Sequence, residues 1–438
     1  MGDGRTQARA ARNRIPRAGA AALDTGRDAP VRQRSLRAHN LGLVLRQVAA
    51  SRQPVSRADV AAATGLTKAT VSALVDELLA GRLLAEVDPA PRSGAGRPAI
   101  GLRLSSNGPA GLGLEVNVDY LAACVVDLTG SVRHHRRHPV ELRGRPAEGV
   151  LDELAGLATE AVDAATGEGL TVAGAAVAVP GLVADGVVRF APNLDWHDID
   201  VGSAMLDRLV ANGLPRWRLT VENEANLAAL GELGVWAESN PDARRPSFVY
   251  ISGEIGVGAG IVLDGELFRG ARGYGGELGH VTIRPDGPRC RCGSRGCLEV
   301  FANQEALLRG AGLATTEPAG AVPRLLKLLE SGEPPALRAL ADAGAAIGVA
   351  SAAVVNLLDV QTVVLGGIYA ALAPWLVEPV AREISQRVLT AQWDPVTVRA
   401  SVLGPAATVV GAAGSVVRAI RDAPAYWLES GVKPSGRS

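Results

Sequence analysis

Cys290, Cys292 and Cys297 fall within one eight-residue stretch, Cys290-Arg-Cys292-Gly-Ser-Arg-Gly-Cys297, and His280 lies ten residues before the first of them. Three thiolates and one imidazole at this spacing are the donor set of a tetrahedral zinc site, so Zn2+ is expected on His280, Cys290, Cys292 and Cys297. Protein fills all four positions. None is left for water, so the site is structural rather than catalytic. Gly293 and Gly296 allow the chain to fold tightly around the ion. The competing reading is a loop of free thiols with a chance histidine nearby. Cys124, alone in an apolar run, reads as a small core residue. Four cysteines in 438 residues are too few for a disulfide scaffold.

A second chemistry is carried by cations. Residues 1–104 hold 17 Arg and Lys against 8 Asp and Glu, and the whole chain holds 45 of each, which leaves 28 against 37 for residues 105–438. The neutral chain is thus a basic first quarter on an acidic remainder, the layout of a nucleic-acid-binding module joined to something else. Residues 1–37, with nine Arg and three Asp and no apolar period, are expected to be a disordered Arg-rich tail.

Residues 38–104 are expected to form a winged helix-turn-helix. Leu41, Val44, Leu45 and Val48 have helical spacing, and Ser56 with Asp59 three residues on opens a second, short helix. Gly65 breaks that helix and Thr67 caps a third, whose buried stripe is Val71, Leu74, Val75 and Leu78. Thr67, Lys68, Thr70 and Ser72 fall off the stripe near its start, where a recognition helix places its base- and phosphate-reading side chains. Two strand-like runs, 83–87 and 99–104, flank a Gly/Pro-rich loop carrying Arg92 and Arg97, a wing able to reach phosphates or a minor groove. The expected partner is double-stranded DNA. A plain structural bundle is the bland alternative.

The positions that present the thiols lie in the acidic remainder, residues 110–422, where the pattern changes to buried strands alternating with helices. Strands are expected at 111–118, 121–127, 172–179, 218–221, 247–252, 259–263 and 362–365, and helices at 151–165, 224–234, 299–310, 337–358 and 376–388. The class is α/β, and two lobes are expected at this length. Residues 423–438 read as a C-terminal tail. The apolar stretches 171–188 and 360–377 are interrupted by Pro180, Asp185, Gln361 and Pro374, so no bilayer span is expected, and the Arg-rich start lacks the apolar stretch of a secretory signal. A soluble, cytoplasmic protein is expected.

Gly276-Glu277-Leu278-Gly279-His280 followed by the cysteine motif and Glu299 resembles the signature of the ROK family (repressors, open reading frames, kinases), and the resemblance extends over about residues 38–422. It implies an actin-like, two-lobed, ribonuclease-H-type sugar-kinase-like body with sugar in the interlobe cleft. It also implies that Glu277, His280 and Glu299 contact sugar hydroxyls, and that Asn223 and Glu224 stand where the kinases hold the reacting hydroxyl. Asn193, in Ala191-Pro-Asn-Leu194, is a further expected contact, while Glu222 is expected to be structural. Carboxylates, amides and an imidazole suit the donors and acceptors of a neutral polyol.

The family's kinases approach ATP with an early Asp-x-Gly-Gly-Thr loop, a Gly-Thr-Gly loop and a catalytic Asp. Here the corresponding positions read Glu115-Val-Asn-Val-Asp119, Glu254-Ile-Gly256 and Glu224, so no catalysis is expected. Gly366-Gly367 remains of the nucleotide-side turn. The expectation is a sugar-responsive transcription regulator, a repressor, working as a homodimer or homotetramer on an operator with a small sugar as effector. The alternatives are a bifunctional sugar kinase with a DNA-binding arm and a module whose winged helix contacts protein.

Overall fold

The computed structural model describes residues 33–88, 100–240, 245–314 and 321–429. Helices α1 (Gln33–Ala49), α2 (Arg57–Thr64) and α3 (Lys68–Ala80) form the expected trio. Ser56 and Asp59 cap α2 reciprocally: the Ser56 hydroxyl accepts from Asp59 N at 3.2 Å and the Asp59 carboxylate accepts from Ser56 N at 3.0 Å. Gly65 ends α2 with φ 72°, a left-handed turn that suits a residue without a Cβ. Thr67 Oγ1 then accepts from Thr70 N and starts α3. Val71, Leu74, Val75 and Leu78 are buried against Leu41, Val44 and Leu45 of α1 and Val60 of α2. Strands β1 (Leu84–Val87) and β2 (Gly101–Leu104) pair antiparallel as the base of the wing. The wing tip with Arg92 and Arg97 lies outside the described residues. Helix α1 begins at Gln33, inside the stretch expected to be tail as far as residue 37. Its second turn gains a tertiary partner, since Arg37 Nε donates to Glu77 of α3 at 3.3 Å.

The first lobe comprises β3 (Pro109–Val116), β4 (Tyr120–Asp127), β5 (Val132–Pro139), α4 (Ala147–Gly167), β6 (Thr171–Val179), β7 (Leu182–Ala184), β8 (Val187–Ala191), β9 (Trp196–Asp200), α5 (Val201–Ala211), β10 (Arg218–Asn223) and α6 (Glu224–Ser239). Its five-stranded sheet runs β10-β6-β3-β4-β5, with β3, β6 and β10 parallel, and β7, β8 and β9 form a small antiparallel sheet. The second lobe comprises β11 (Phe248–Gly253), β12 (Val257–Leu263), β13 (Glu266–Leu267), α7 (Glu299–Ala302), α8 (Gln304–Gly310), α9 (Ala321–Glu330), α10 (Pro334–Leu358), β14 (Thr362–Gly367), α11 (Ile368–Arg387) and β15 (Thr397–Ala400), its sheet ordered β13-β12-β11-β14-β15. Two lobes, each built on its own mixed five-stranded sheet, make up the expected actin-like body.

Three expectations need correction. Residues 299–310 are two helices, because Asn303 takes extended backbone (ψ 166°) and its Oδ1 caps α8 by accepting from Ala306 N at 2.9 Å. Strand β5 was absent from the sequence reading: its run Val-Arg-His-His-Arg-Arg-His-Pro has no apolar alternation, since it lies at the sheet edge with most residues exposed. Helix α10 is long and apolar enough to cross a membrane by length and composition, yet Leu340, Ala343 and Ile347 bury it in the second-lobe core beside Leu376 and Val380 of α11.

The third correction concerns the C-terminus. After β15 the chain forms α12 (Ala407–Asp422), which crosses back to the first lobe, and α13 (Pro424–Glu429), where tail was expected. A Cβ at Gly113 would stand 2.2 Å from Val409 O and one at Gly111 2.2 Å from Ala413 O, so glycine is required for α12 to press directly on β3. Ala425, Trp427 and Leu428 of α13 pack into the winged-helix core, and the Trp427 indole N–H donates to Gly81 O, just past the end of α3, at 3.0 Å. Val416 and Ile420 of α12 and Leu128 of the β4–β5 turn join the same core. The DNA-binding-type module and the body are therefore one packed unit.

Candidate functional site

The lobes face each other across a cleft lined from the first lobe by Asn117, Asn193, Asn223 and Glu224 and from the second by Glu254, Glu277, His280 and Glu299. All six residues expected to hold a sugar stand on its walls. Asn223 ends β10 and caps α6, its Oδ1 accepting from Ala225 N at 2.8 Å, while its amide donates to Gly181 O at 3.0 Å; one amide hydrogen remains for the cleft. Glu222, expected to be structural, accepts from Asn223 N (3.0 Å), Asn226 Nδ2 (3.1 Å) and Arg269 Nε (2.7 Å).

Glu277 and His280 flank a 3-10 turn that presses on β12: a Cβ at Gly279 would meet Val257 O at 2.1 Å. Glu299 opens α7 and its Oε2 accepts from Val257 N at 3.2 Å, so the carboxylate is fixed from two directions of the chain. The sequence reading left Asn226 unassigned. It is 3% exposed, lines the cleft, and its Oδ1 has no hydrogen-bond partner among the described residues. Its place in the run Glu222-Asn-Glu-Ala-Asn226 carries no sign of this, because the vacancy of an acceptor shows only once burial is known.

His280 also faces the thiols. The ligand atoms of His280, Cys290, Cys292 and Cys297 all lie within 4.8 Å of one another. Cys292 and Cys297 Sγ are 3.7 Å apart, and His280 Nδ1 is 3.8 Å from Cys290 Sγ. A tetrahedron with metal–sulfur bonds of about 2.3 Å has sulfur–sulfur edges of about 3.8 Å. The cluster therefore fits a four-coordinate metal and is compatible with a structural zinc. Gly293 (φ 94°) and Gly296 (φ 66°) make the turns around it, and a Cβ at Gly296 would stand 1.5 Å from Arg284 O. Cys124 is buried in β4 and burial pushes its thiol up to about 12, an inert core position.

The side of the cleft opposite the thiols is crowded with carboxyl groups. Burial, aided by repulsion from Glu115, Glu277 and Asp119, pushes Glu224 up to about 8. Burial raises Glu254 well above the usual carboxylate range, with further repulsion from Glu224, Asp119 and Glu115. Glu115 is 1% exposed and burial pushes it up to about 7 against the opposing hydrogen bond from Tyr120. Tyr120 OH donates to Glu115 Oε1 at 2.6 Å, while Oε2 has no partner among the described residues. Arg137 sits 3.7 Å above the Tyr120 ring. The Gly366-Gly367 pair has a packing reason of its own: a Cβ at Gly366 would lie 2.0 Å from the Tyr250 ring, and one at Gly367 2.6 Å from Gly253 O.

On the DNA-binding-type module, Thr67 and Lys68 are exposed at the start of α3, while Thr70 and Ser72 are half-buried. Thr67 and Thr70 hydroxyls are 2.9 Å apart and engage each other. Lys68 forms no ion pair among the described residues. Arg57, unassigned in the sequence reading, pairs with Asp76 of α3 at 2.8 Å and Glu86 of β1 at 3.2 Å and ties helix to wing base.

Comparison with known proteins agrees with this anatomy. The profile of the ROK family matches residues 111–418, and that of the IclR helix-turn-helix domain matches residues 40–88. The xylose repressor of Bacillus subtilis is 31% identical over 386 residues, covering 86% of this chain and 94% of the repressor. A glucokinase of Streptomyces coelicolor is 29% identical over 334 residues, covering 69% of this chain and 97% of the kinase. Among solved structures, a ROK family transcriptional regulator described as a homologue of the E. coli MLC protein aligns at TM-score 0.72 with 25% identity, over 90% of this chain and all of the other. A ROK family glucokinase from Streptomyces griseus, in complex with glucose and AMPPNP, aligns at 0.58 with 28% identity over 70% of this chain and 98% of the kinase.

Proposed function

We propose, from the premise that the chain belongs to the ROK family, that it is a sugar-responsive DNA-binding transcription regulator, a repressor, with the effector sugar in the interlobe cleft. Thr67, Lys68, Thr70, Ser72 and the wing residues Arg92 and Arg97 meet an operator. Asn193, Asn223, Glu224, Glu277, His280 and Glu299 hold a neutral sugar by hydrogen bonds from both lobes, with Asn226 Oδ1 as a further acceptor. Because both lobes supply contacts, a bound sugar favours the lobe spacing at which both sets are satisfied. Helix α12, pressed on β3 and continued by α13 into the winged-helix core, is placed to pass that spacing on to α3.

The observation that favours a regulator over a kinase is the carboxylate crowding by Glu115, Glu224 and Glu254. Glu115 and Glu254 stand in the two stretches where the family's kinases approach ATP with bare backbone, and Glu224 stands at their catalytic Asp, so a polyphosphate brought there meets buried carboxyl side chains in place of glycine backbone. Zinc on His280, Cys290, Cys292 and Cys297 supplies a rigid cross-link for the loop 280–299. His280 and Glu299 are both anchored at the ends of that loop, so their cleft-facing groups stay in register. The cytoplasm is the compartment and a homodimer or homotetramer the working form, since two recognition helices read a two-fold operator.

The test is to select operator fragments from sheared source DNA with the purified protein, then add xylose, glucose or N-acetylglucosamine. One of these sugars is expected to change operator affinity at least tenfold in the wild type and not in Glu277→Ala, whose DNA affinity is unchanged. Sugar-dependent ATP consumption with no effect of any sugar on DNA would replace this reading by the kinase.

A further inference from the structure

Back to back with the cleft, a larger depression of about 1050 Å³ opens along the outer edge of the first-lobe sheet. Strand β10 is the end strand there. It pairs with β6 on one side, and among the described residues no strand pairs with its other edge. Trp217 lines the floor, and its buried indole N–H has no hydrogen-bond partner among the described residues. Tyr426 and Trp427 of α13 form a wall, with Tyr426 70% exposed.

The charge of the depression leans positive. Arg216, Arg218, Arg269 and Arg272 line it against Asp185, Asp200 and Glu222. Glu222 is taken by Arg269, and Asp200 caps α5 by accepting from Ser203 N at 2.9 Å. Arg216 has only an exposed, distant partner in Asp207, at 3.7 Å. Arg218 and Arg272 are exposed and form no ion pair with a described residue. With Arg269 and Glu222 paired, Arg216, Arg218 and Arg272 remain against Asp185 and Asp200, a small positive surplus.

At about 1050 Å³ the depression stands at the upper end of the range of small-molecule pockets, about 300–1,000 Å³, and it follows a strand of about 20 Å. A free strand edge, aromatic walls and surplus guanidinium groups together fit an extended chain better than a compact ligand. We propose that this edge docks an extended acidic peptide segment of another protein, which adds as a sixth strand beside β10, sets carboxylates against Arg218 and Arg272, and seats an apolar side chain among Trp217, Tyr426 and Trp427. The docked segment touches both functional ends of the molecule. Val183 and Gly273 line the depression and the cleft alike, and Trp427 holds the carbonyl of Gly81 after α3.

The test uses the full-length protein and a fluorescein-labelled ten-residue peptide alternating glutamate with valine and phenylalanine, followed by fluorescence anisotropy. A control peptide has lysine in place of glutamate. The acidic peptide is expected to bind at least tenfold more tightly than the lysine peptide, and the double variant Arg218→Glu/Arg272→Glu to reverse that order. Unchanged thermal unfolding and DNA retention by the variant establish that it is folded. No preference for the acidic peptide, or a preference the double variant does not disturb, overturns the proposal. So does a change of oligomeric state in the double variant without peptide binding to the wild type, which would give the edge to a second copy of this chain.

Discussion

Replacing Glu115 by glutamine should stabilise the protein progressively as the pH rises. In the folded state the Glu115 carboxyl is 1% exposed, is bonded through Oε1 to Tyr120, and leaves Oε2 without a partner among the described residues. Burial raises it from 4.5 to about 7, so the folded state keeps this proton to higher pH than the unfolded chain does. Stability from this group is therefore complete below pH 4.5 and is lost as pH rises through about 7. At about 1.4 kcal/mol per pH unit the full loss is about 3 kcal/mol, of which about 2 kcal/mol falls between pH 5.5 and 8.5. Glutamine keeps the acceptor for Tyr120 and has no charge to strand. Urea unfolding of wild type and Glu115→Gln, followed by tryptophan fluorescence at pH 5.5 and 8.5, should show the variant's relative stability growing by about 2 kcal/mol between the two. A difference that is the same at both pH values would mean that the carboxyl ionises freely in the folded protein.

Three further outcomes follow from the same structure. Chelation of the metal should lower the melting temperature and loosen the loop between His280 and Glu299, which hydrogen exchange would register as lost protection at Ile283 N and Leu298 N, bonded to Gly296 O and Val281 O. Trp427→Ala removes the Gly81 hydrogen bond and the packing of α13, and should cost about 3 kcal/mol while exposing α13 to limited proteolysis. Lys68→Ala, at an exposed cation at the start of α3, should weaken operator binding and reduce the slope of log K against log salt by about 1.

Local chemistry made much of this molecule legible from its residues. Ser56 with Asp59, Gly65 and Thr67 each dictate a helix boundary through a hydrogen bond or a φ that only nearby residues determine, and all three boundaries are where they were expected. The thiol–imidazole cluster was legible because metal ligation demands soft donors at close spacing, and its glycines because turns around an ion demand positive φ. What escaped was decided at long range. Strand β5 exists because β4 offers it a partner, not because of its own residues. Helix α13 exists because Trp427 and Leu428 find the winged-helix core, more than 340 residues away in sequence at Gly81. Asn226 looked like an ordinary first-turn asparagine until the cleft closed around it. The break at Asn303 could not be read from periodicity, since its side chain serves α8 as cap and also donates to Ile255 O in the loop before β12 at 3.2 Å.

The central claim is that sugar in the interlobe cleft changes the grip of the winged helix on DNA. The most direct measurement is operator affinity by fluorescence anisotropy during titration with each candidate sugar, on wild type and Glu277→Ala in parallel. The account predicts a saturable change of at least tenfold in the wild type for one sugar and no change in Glu277→Ala at the same concentrations. An equal response in both proteins would place the effector outside the cleft, and a wild type that binds a sugar by calorimetry with no change in operator affinity would break the link between cleft and winged helix.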